Sequence, residues 1–192
     1  MNLPNKLTVF RIFMIPVFML LLIFNWPAGH VDVAGFTIYW NQVLAAIVFA
    51  IASFTDFLDG HIARARNLVT NFGKFADPLA DKMLTMTAFI FLVNLKSNGQ
   101  SLAPAWVVAI IVCRELAVTG LRLIVVENDG EVIAAKMPGK IKTTTQMLSI
   151  IFLLIGNIFY IGSILLYICL VFTIYSGWDY FHQSWDVFKG SM

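Results

Sequence analysis

The stretch that decides the fold of this chain reads Asp56-Phe-Leu-Asp59-Gly60-His-Ile-Ala63-Arg64 and, after eight further residues, Gly73-Lys-Phe-Ala-Asp77-Pro-Leu-Ala-Asp81. Its four aspartates lie at the ends of two apolar segments, in a chain with only 12% charged residues. Carboxylates at membrane depth are costly, and they usually face a protein interior and serve a function. Four of them so close together would repel one another strongly unless cations lay between them.

Helical spacing places each pair of these aspartates on one helix face. Asp56 and Asp59 are three residues apart, and Asp77 and Asp81 are four apart. Two such faces across a gap would form a cage for one or two divalent ions, and oxygen ligands suit Mg²⁺ or Mn²⁺. The spacing therefore predicts a metal site formed by all four carboxylates.

Small and basic residues next to the aspartates indicate a phosphate-bearing ligand. Gly60 and Gly73 carry no side chain, so a ligand or another backbone can approach the cage closely. Arg64 lies about two helical turns beyond Asp56 and offers a guanidinium fork that suits phosphate. A divalent-cation transporter is the main non-enzymatic alternative, but a bare ion path needs neither the glycines nor the arginine.

Composition places the chain among integral membrane proteins. Hydrophobic residues make up 59% of its 192 residues, against about 45–50% in soluble domains, and the mean hydropathy is +0.82. The length fits a single domain over residues 1–192. A net charge of +2 gives no reason to expect a nucleic-acid partner.

Six segments approach the length of about 20 mostly apolar residues that a membrane span needs. They predict an all-α polytopic membrane protein with six transmembrane helices, at residues 7–25, 38–64, 74–95, 104–126, 141–159 and 162–188. Lysine and arginine concentrate on one side of these segments, while the connection over residues 26–37 has none. The positive-inside rule therefore places both termini and the aspartate motif on the cytoplasmic side of the cell membrane, with the motif in a polar cavity.

The chain resembles the CDP-alcohol phosphotransferase family. The full signature of that family is matched, with its spacing, by Asp56, Asp59, Gly60, Ala63, Arg64, Gly73, Asp77 and Asp81. The resemblance extends over essentially the whole chain and implies metal-dependent transfer of a phosphate-linked group, two bound divalent ions and a homodimer.

The same resemblance assigns roles to the signature residues. It implies that Asp56, Asp59 and Asp77 bind the metals, and that Asp81 lies near them and acts as the general base. It also implies a cytidine-diphosphate site shaped by Gly60, Ala63, Arg64 and Gly73. Spacing alone leaves open which aspartate is the base.

A second group of charged residues predicts a pocket for an anionic acceptor. Its members are Arg114, Arg122, Lys136, Lys140 and Lys142. The alternatives are positive-inside topology or lipid headgroup contact for the lysines, and an ion pair between helices for Arg114. Adjacent residues of a helix do not face each other, so Arg114 and Glu115 are not expected to pair.

Local patterns refine the expected acceptor. Three stretches resemble the bacterial branch of the family that uses glycerol 3-phosphate: Asn2-Leu-Pro-Asn-Lys-Leu-Thr-Val-Phe-Arg11, Arg114-Glu115-Leu and Gly139-Lys-Ile-Lys-Thr-Thr-Thr-Gln146. The resemblance implies transfer of the phosphatidyl group from CDP-diacylglycerol to sn-glycerol 3-phosphate, with release of CMP, in phospholipid biosynthesis. The same chemistry with inositol phosphate or serine as acceptor is the alternative.

Overall fold

The structure, a computed structural model, describes residues 2–24, 29–33, 35–65, 71–97, 99–127 and 137–183. The side chains of residues 3–4, 57–65, 71–72, 74–75, 122–127 and 183 are not described, although the backbone there is helical. Six α-helices account for most of the described residues: α1 Leu3–Ile23, α2 Trp40–Ala65, α3 Asn71–Asn94, α4 Ala105–Glu127, α5 Met137–Leu154 and α6 Ile161–Gln183. Each of the six predicted helical segments corresponds to one of these helices.

The largest boundary difference concerns α5, which ends at Leu154, where the prediction extended it to residue 159. Gly156 follows at φ +88°, a left-handed conformation that favours glycine and ends the helix. A Cβ at this glycine would lie 3.1 Å from the Thr37 carbonyl oxygen. The turn between α5 and α6 therefore packs closely on the chain that precedes α2.

Two short hairpins, which the all-α prediction missed, lie between helices in the described part of the chain. β1 (His30–Val33) pairs with β2 (Phe36–Tyr39), and β3 (Lys96–Ser97) pairs with β4 (Gln100–Ser101), both antiparallel. The fold is therefore mostly helical with a minor β component. The strands are only two to four residues long, which is too short for a reliable alternating pattern.

Both hairpins lie at one end of the helix bundle, which we call the hairpin end. A pocket of about 420 Å³ there is lined by residues of β2, of both strands of the second hairpin and of the α5–α6 turn. Helix α2 runs from this end to the aspartate motif, and α3 returns from the motif to β3. The motif therefore lies at the opposite end, the motif end.

Apolar packing between the helices holds the motif in place. Helix α1 packs on α2 and α3, α5 packs on α6 and α2, and α4 packs on α6 and α3. The core contains Phe18, Phe49 and Phe89, each at most 1% exposed, and Ala45 and Ala52 allow α2 to approach its neighbours closely. Truncating one such buried phenylalanine typically costs about 3–5 kcal/mol.

Two of the described helices are long and apolar enough to cross a membrane: Asn5–Ile23 and, continuous with the preceding turn, Ile158–His182. The part of α2 whose side chains are described, Trp40–Asp56, is apolar but shorter. The other helices carry charged residues such as Asp81, Arg114 and Lys142, which lower their hydropathy. The fold thus supports a membrane protein, while the number of spans stays a prediction.

Candidate active site

Both aspartate pairs lie on helices, as the spacing predicted. Asp56 and Asp59 are near the end of α2, and Asp77 and Asp81 are in the first half of α3. Helices α2 and α3 pack on each other and both pack on α1, so the two pairs lie at the same end of the bundle. Gly73 is buried at the start of α3. The side chains of Asp59, Ala63 and Arg64, and the environment of Gly60, lie outside the described part of the structure.

Helix α1 holds one aspartate from each pair. The Arg11 guanidinium lies 2.6 Å from Asp56 Oδ1, and the Thr8 hydroxyl donates to Asp77 Oδ1 at 2.5 Å. Thr8 and Arg11 are both fully buried and, three residues apart, share one face of α1. Side chains of α1 thus hold carboxylates of two other helices, α2 and α3, in place.

Thr8 and Arg11 are site residues that the sequence interpretation missed. It counted Arg11 in the positive charge on the cytoplasmic side and placed both residues in a stretch that resembles the branch using glycerol 3-phosphate, but it gave neither a role in the site. A signal was present, because an arginine inside an apolar helix usually pairs with a carboxylate. The choice of Asp56 among four aspartates depends on how α1 packs on α2, which the spacing within α1 does not encode.

The donor set at the motif end fits a divalent metal. Carboxylate oxygens are the ligands that Mg²⁺ and Mn²⁺ prefer, and each carboxylate offers two of them. Among the side chains that the structure describes, no three His, Cys, Asp or Glu residues lie close enough to hold an ion. Asp59, the fourth predicted ligand, is outside that set. The metal site therefore stays a prediction.

A second charged cluster, which we call the Glu115 cluster, lies where α3, α4 and α5 meet. The Lys142 ammonium donates to Glu115 Oε1, Arg114 Nη1 lies 3.1 Å from the same oxygen, and Lys82 Nζ lies 3.7 Å from Oε2. Lys142 is buried, and the other three side chains are 13–22% exposed. Three cations thus converge on one carboxylate.

The expectation that Arg114 and Glu115 do not pair is wrong. Arg114 reaches α6, where its Nη2 donates to the Ser176 hydroxyl at 2.8 Å and Gly177 leaves room for its side chain. With the side chain in this position, its Nη1 donates to Glu115 Oε1. Cβ directions separate neighbours on a helix, but a side chain as long as arginine can fold back over that separation.

The structure separates the five predicted acceptor residues. It brings Arg114 and Lys142 together in the Glu115 cluster and leaves Lys140 exposed on α5. Lys136 and the side chain of Arg122 lie outside the described residues. Lys82, which was not predicted, joins the cluster from α3. Its position next to Asp81 in the sequence was the available signal.

Two features define the class of protein: an apolar helical bundle with an acidic site at one end, and a largely buried cationic cluster beside that site. The chain belongs to the CDP-alcohol phosphatidyltransferase family, whose family model matches residues 1–175. Members of this family generally depend on divalent metals.

Similar proteins match over most of their length. The chain is 46% identical to the CDP-diacylglycerol–glycerol-3-phosphate 3-phosphatidyltransferase of Bacillus subtilis (strain 168), over 99% of this chain and 98% of that protein. It is 38% identical to the protein of the same name from Rickettsia bellii, over 94% and 93%. It is 37% identical to a probable phosphatidylglycerophosphate synthase of Mycobacterium tuberculosis, over 93% of this chain and 79% of that protein.

Proposed function

We propose that this chain transfers the phosphatidyl group of CDP-diacylglycerol to sn-glycerol 3-phosphate, giving phosphatidylglycerophosphate and CMP. The single observation that carries the proposal is the aspartate signature, intact on two adjoining helices, in a chain similar over its full length to proteins with this name. The buried cations of the Glu115 cluster agree with an acceptor that carries a phosphate.

Asp56, Asp59, Asp77 and Asp81 would hold the divalent ions, Mg²⁺ or Mn²⁺ and two in number. Such ions neutralise the diphosphate and stabilise charge on the departing phosphate. Arg11 and Thr8 keep two of the carboxylates in place before substrate arrives. Gly60, Ala63, Arg64 and Gly73 shape the site of the cytidine diphosphate.

The reaction is a displacement at phosphorus. The acceptor hydroxyl oxygen attacks the phosphorus that carries diacylglycerol, and the bond from that phosphorus to the oxygen bridging to CMP breaks. CMP leaves with the bonding electrons. Asp81 accepts the proton of the attacking hydroxyl as general base. No covalent bond to the protein is needed, because both substrates can be held in line.

The membrane arrangement is part of the proposal. Six helices span the cell membrane, the motif end and both termini face the cytoplasm, and the protein forms a homodimer. Two helices that meet the length and composition of a span support the first statement, and the lysine and arginine distribution supports the second.

Labelling of single cysteines in intact cells tests the orientation. A cysteine at Lys140 is expected to be shielded from membrane-impermeant thiol reagents, and one at Gly29, in the hairpin end, is expected to react. Both variants are built in a background with Cys113 and Cys169 replaced by serine. The reverse pattern would place the motif outside and contradict the proposed orientation.

An acceptor panel tests the activity itself. Purified protein with CDP-diacylglycerol is given glycerol 3-phosphate, inositol phosphate, serine or no acceptor, and CMP and the lipid product are quantified. Among these acceptors, we expect only glycerol 3-phosphate to react, giving equal amounts of CMP and phosphatidylglycerophosphate. EDTA should abolish this activity, and Mg²⁺ or Mn²⁺ should restore it. Reaction with inositol phosphate or serine instead would change the acceptor but keep the chemistry. Divalent-ion transport without CMP release would overturn the proposal.

A further inference from the structure

The Glu115 cluster does not balance its own charge. Lys82, Arg114 and Lys142 face a single carboxylate, which leaves a net charge of +2 among these four side chains. None of the four is more than 22% exposed. A surplus of positive charge among these side chains is costly in such a place, so the cluster is suited to binding an anion.

The position of the cluster fits the acceptor's phosphate. Lys82 follows Asp81 directly on α3, so the helix that carries the proposed base also carries a cation of the cluster, 3.7 Å from Glu115 Oε2. A phosphate monoester carries nearly two negative charges at neutral pH. An acceptor with its phosphate on these lysines would therefore carry its hydroxyl towards the base.

We propose that Glu115 is the positioning residue of the acceptor site, which holds the ammonium groups of Lys142 and Lys82 where they bind the acceptor phosphate. The inference rests on the proposed function, because it takes glycerol 3-phosphate as the acceptor. Glu115 does not touch the acceptor itself, since both are anions.

The contacts explain why a carboxylate is needed. An ammonium group has three donors, and Lys142 directs one of them to Glu115 Oε1, which fixes its long side chain before the acceptor arrives. Ordering this side chain in advance lowers the entropy cost of binding the acceptor. Without Glu115, three cations from adjoining helices would repel one another, and the lysines would move apart.

Steady-state kinetics on Glu115→Gln tests the proposal, because glutamine keeps the shape and removes the charge. We expect the KM for glycerol 3-phosphate to rise about tenfold to a hundredfold, as for the loss of a charge-assisted contact. The KM for CDP-diacylglycerol should stay within about twofold. Lys142→Gln should likewise raise the KM for glycerol 3-phosphate with little change in the KM for CDP-diacylglycerol. The double variant should have an acceptor KM no higher than that of the poorer single variant, because Glu115 and Lys142 act through one shared contact and their effects do not add.

Asp32→Asn is the matched control, since its carboxylate accepts from Thr37 in the exposed hairpin far from the motif. It should change neither KM. Two results would overturn the proposal: a lower acceptor KM in Glu115→Gln, which would show that Glu115 competes with the phosphate, or unchanged KM values with a lower melting temperature, which would show a purely structural role.

If Glu115→Gln cannot be purified, Glu115→Asp and Lys82→Gln carry the test. Aspartate keeps the negative charge but moves the carboxylate back by the length of one methylene. The KM for glycerol 3-phosphate should therefore rise by less than in Glu115→Gln, again with little change in the KM for CDP-diacylglycerol. Unchanged acceptor KM values in both variants would overturn the proposal. Failure of the proposed function is a separate result, because wild-type protein would then release no CMP with glycerol 3-phosphate.

Discussion

The two charged regions of this molecule are built in opposite ways. At the motif end, aspartates at helical spacing supply negative charge, and one buried arginine from α1 ties Asp56 down. In the Glu115 cluster, cations from three helices supply positive charge, and one carboxylate ties them together. In the proposed function each region would bind a ligand of the opposite sign: metal ions, which in turn bind the donor's diphosphate, at the motif end, and the acceptor phosphate in the Glu115 cluster.

The two regions also differ in how they are encoded. The aspartate pairs depend on positions three or four apart within one helix, which the sequence displays directly. The Glu115 cluster depends on Lys82, Glu115 and Lys142 meeting across α3, α4 and α5. Such a meeting is a property of helix packing.

The largest effect is expected from removing a carboxylate at the motif end. Asp56→Asn, Asp59→Asn and Asp77→Asn keep the side-chain volume but remove charge that a metal needs. CMP release should fall at least about a hundredfold. Asp59→Asn and Asp77→Asn should still insert and purify, whereas Asp56→Asn should also lower the melting temperature because it leaves the buried Arg11 without its carboxylate. Near-normal turnover of Asp59→Asn in the presence of EDTA would contradict the metal site.

Asp81→Asn should lose turnover more than it loses substrate binding. A general base typically contributes about 10²–10⁴-fold in rate. The relevant measurements are kcat at saturating metal and direct binding of CDP-diacylglycerol to the variant. If Asp81→Asn keeps half of the wild-type turnover, another group removes the proton.

The order of the described helices and the placement of both aspartate pairs on helix faces could be predicted, because apolar length and local spacing determine them; the end of α5 could not, because the turn at Gly156 ends it early. The hairpins could not, since strands of two to four residues leave too little pattern. Arg11 was visible as a charge in an apolar helix, but its partner was not. The pairing of Arg114 with Glu115 was predicted wrongly. It depends on Ser176 and Gly177 of α6, a helix distant in sequence, which contact the arginine side chain and orient it towards Glu115.

Arg11→Met tests whether the contact from α1 holds Asp56 in place. It leaves the Asp56 carboxylate, which is 32% exposed, without the Arg11 guanidinium, so the cost should lie below the about 3–5 kcal/mol that is typical of a fully buried pair. The melting temperature in detergent should fall clearly, and activity should fall with it. Unchanged stability would mean that Asp56 does not depend on α1.

Thr8→Val should have the smallest effect of the series. It removes the hydroxyl that donates to Asp77 at nearly constant volume, and a hydrogen bond to a charged group contributes about 1.5–3 kcal/mol. Thr37→Val, which removes a similar bond to Asp32 on the exposed hairpin, is the matched control and should cost less. Equal losses in the two variants would argue against a special role for Thr8.

The division of labour between the two regions is tested most directly by measuring both KM values on Arg64→Gln and Lys142→Gln in the same assay. The account predicts a crossed pattern: Arg64→Gln raises the KM for CDP-diacylglycerol and spares that for glycerol 3-phosphate, and Lys142→Gln does the reverse. If both variants raise the same KM, or if the pattern is inverted, the assignment of donor and acceptor to the two regions is wrong.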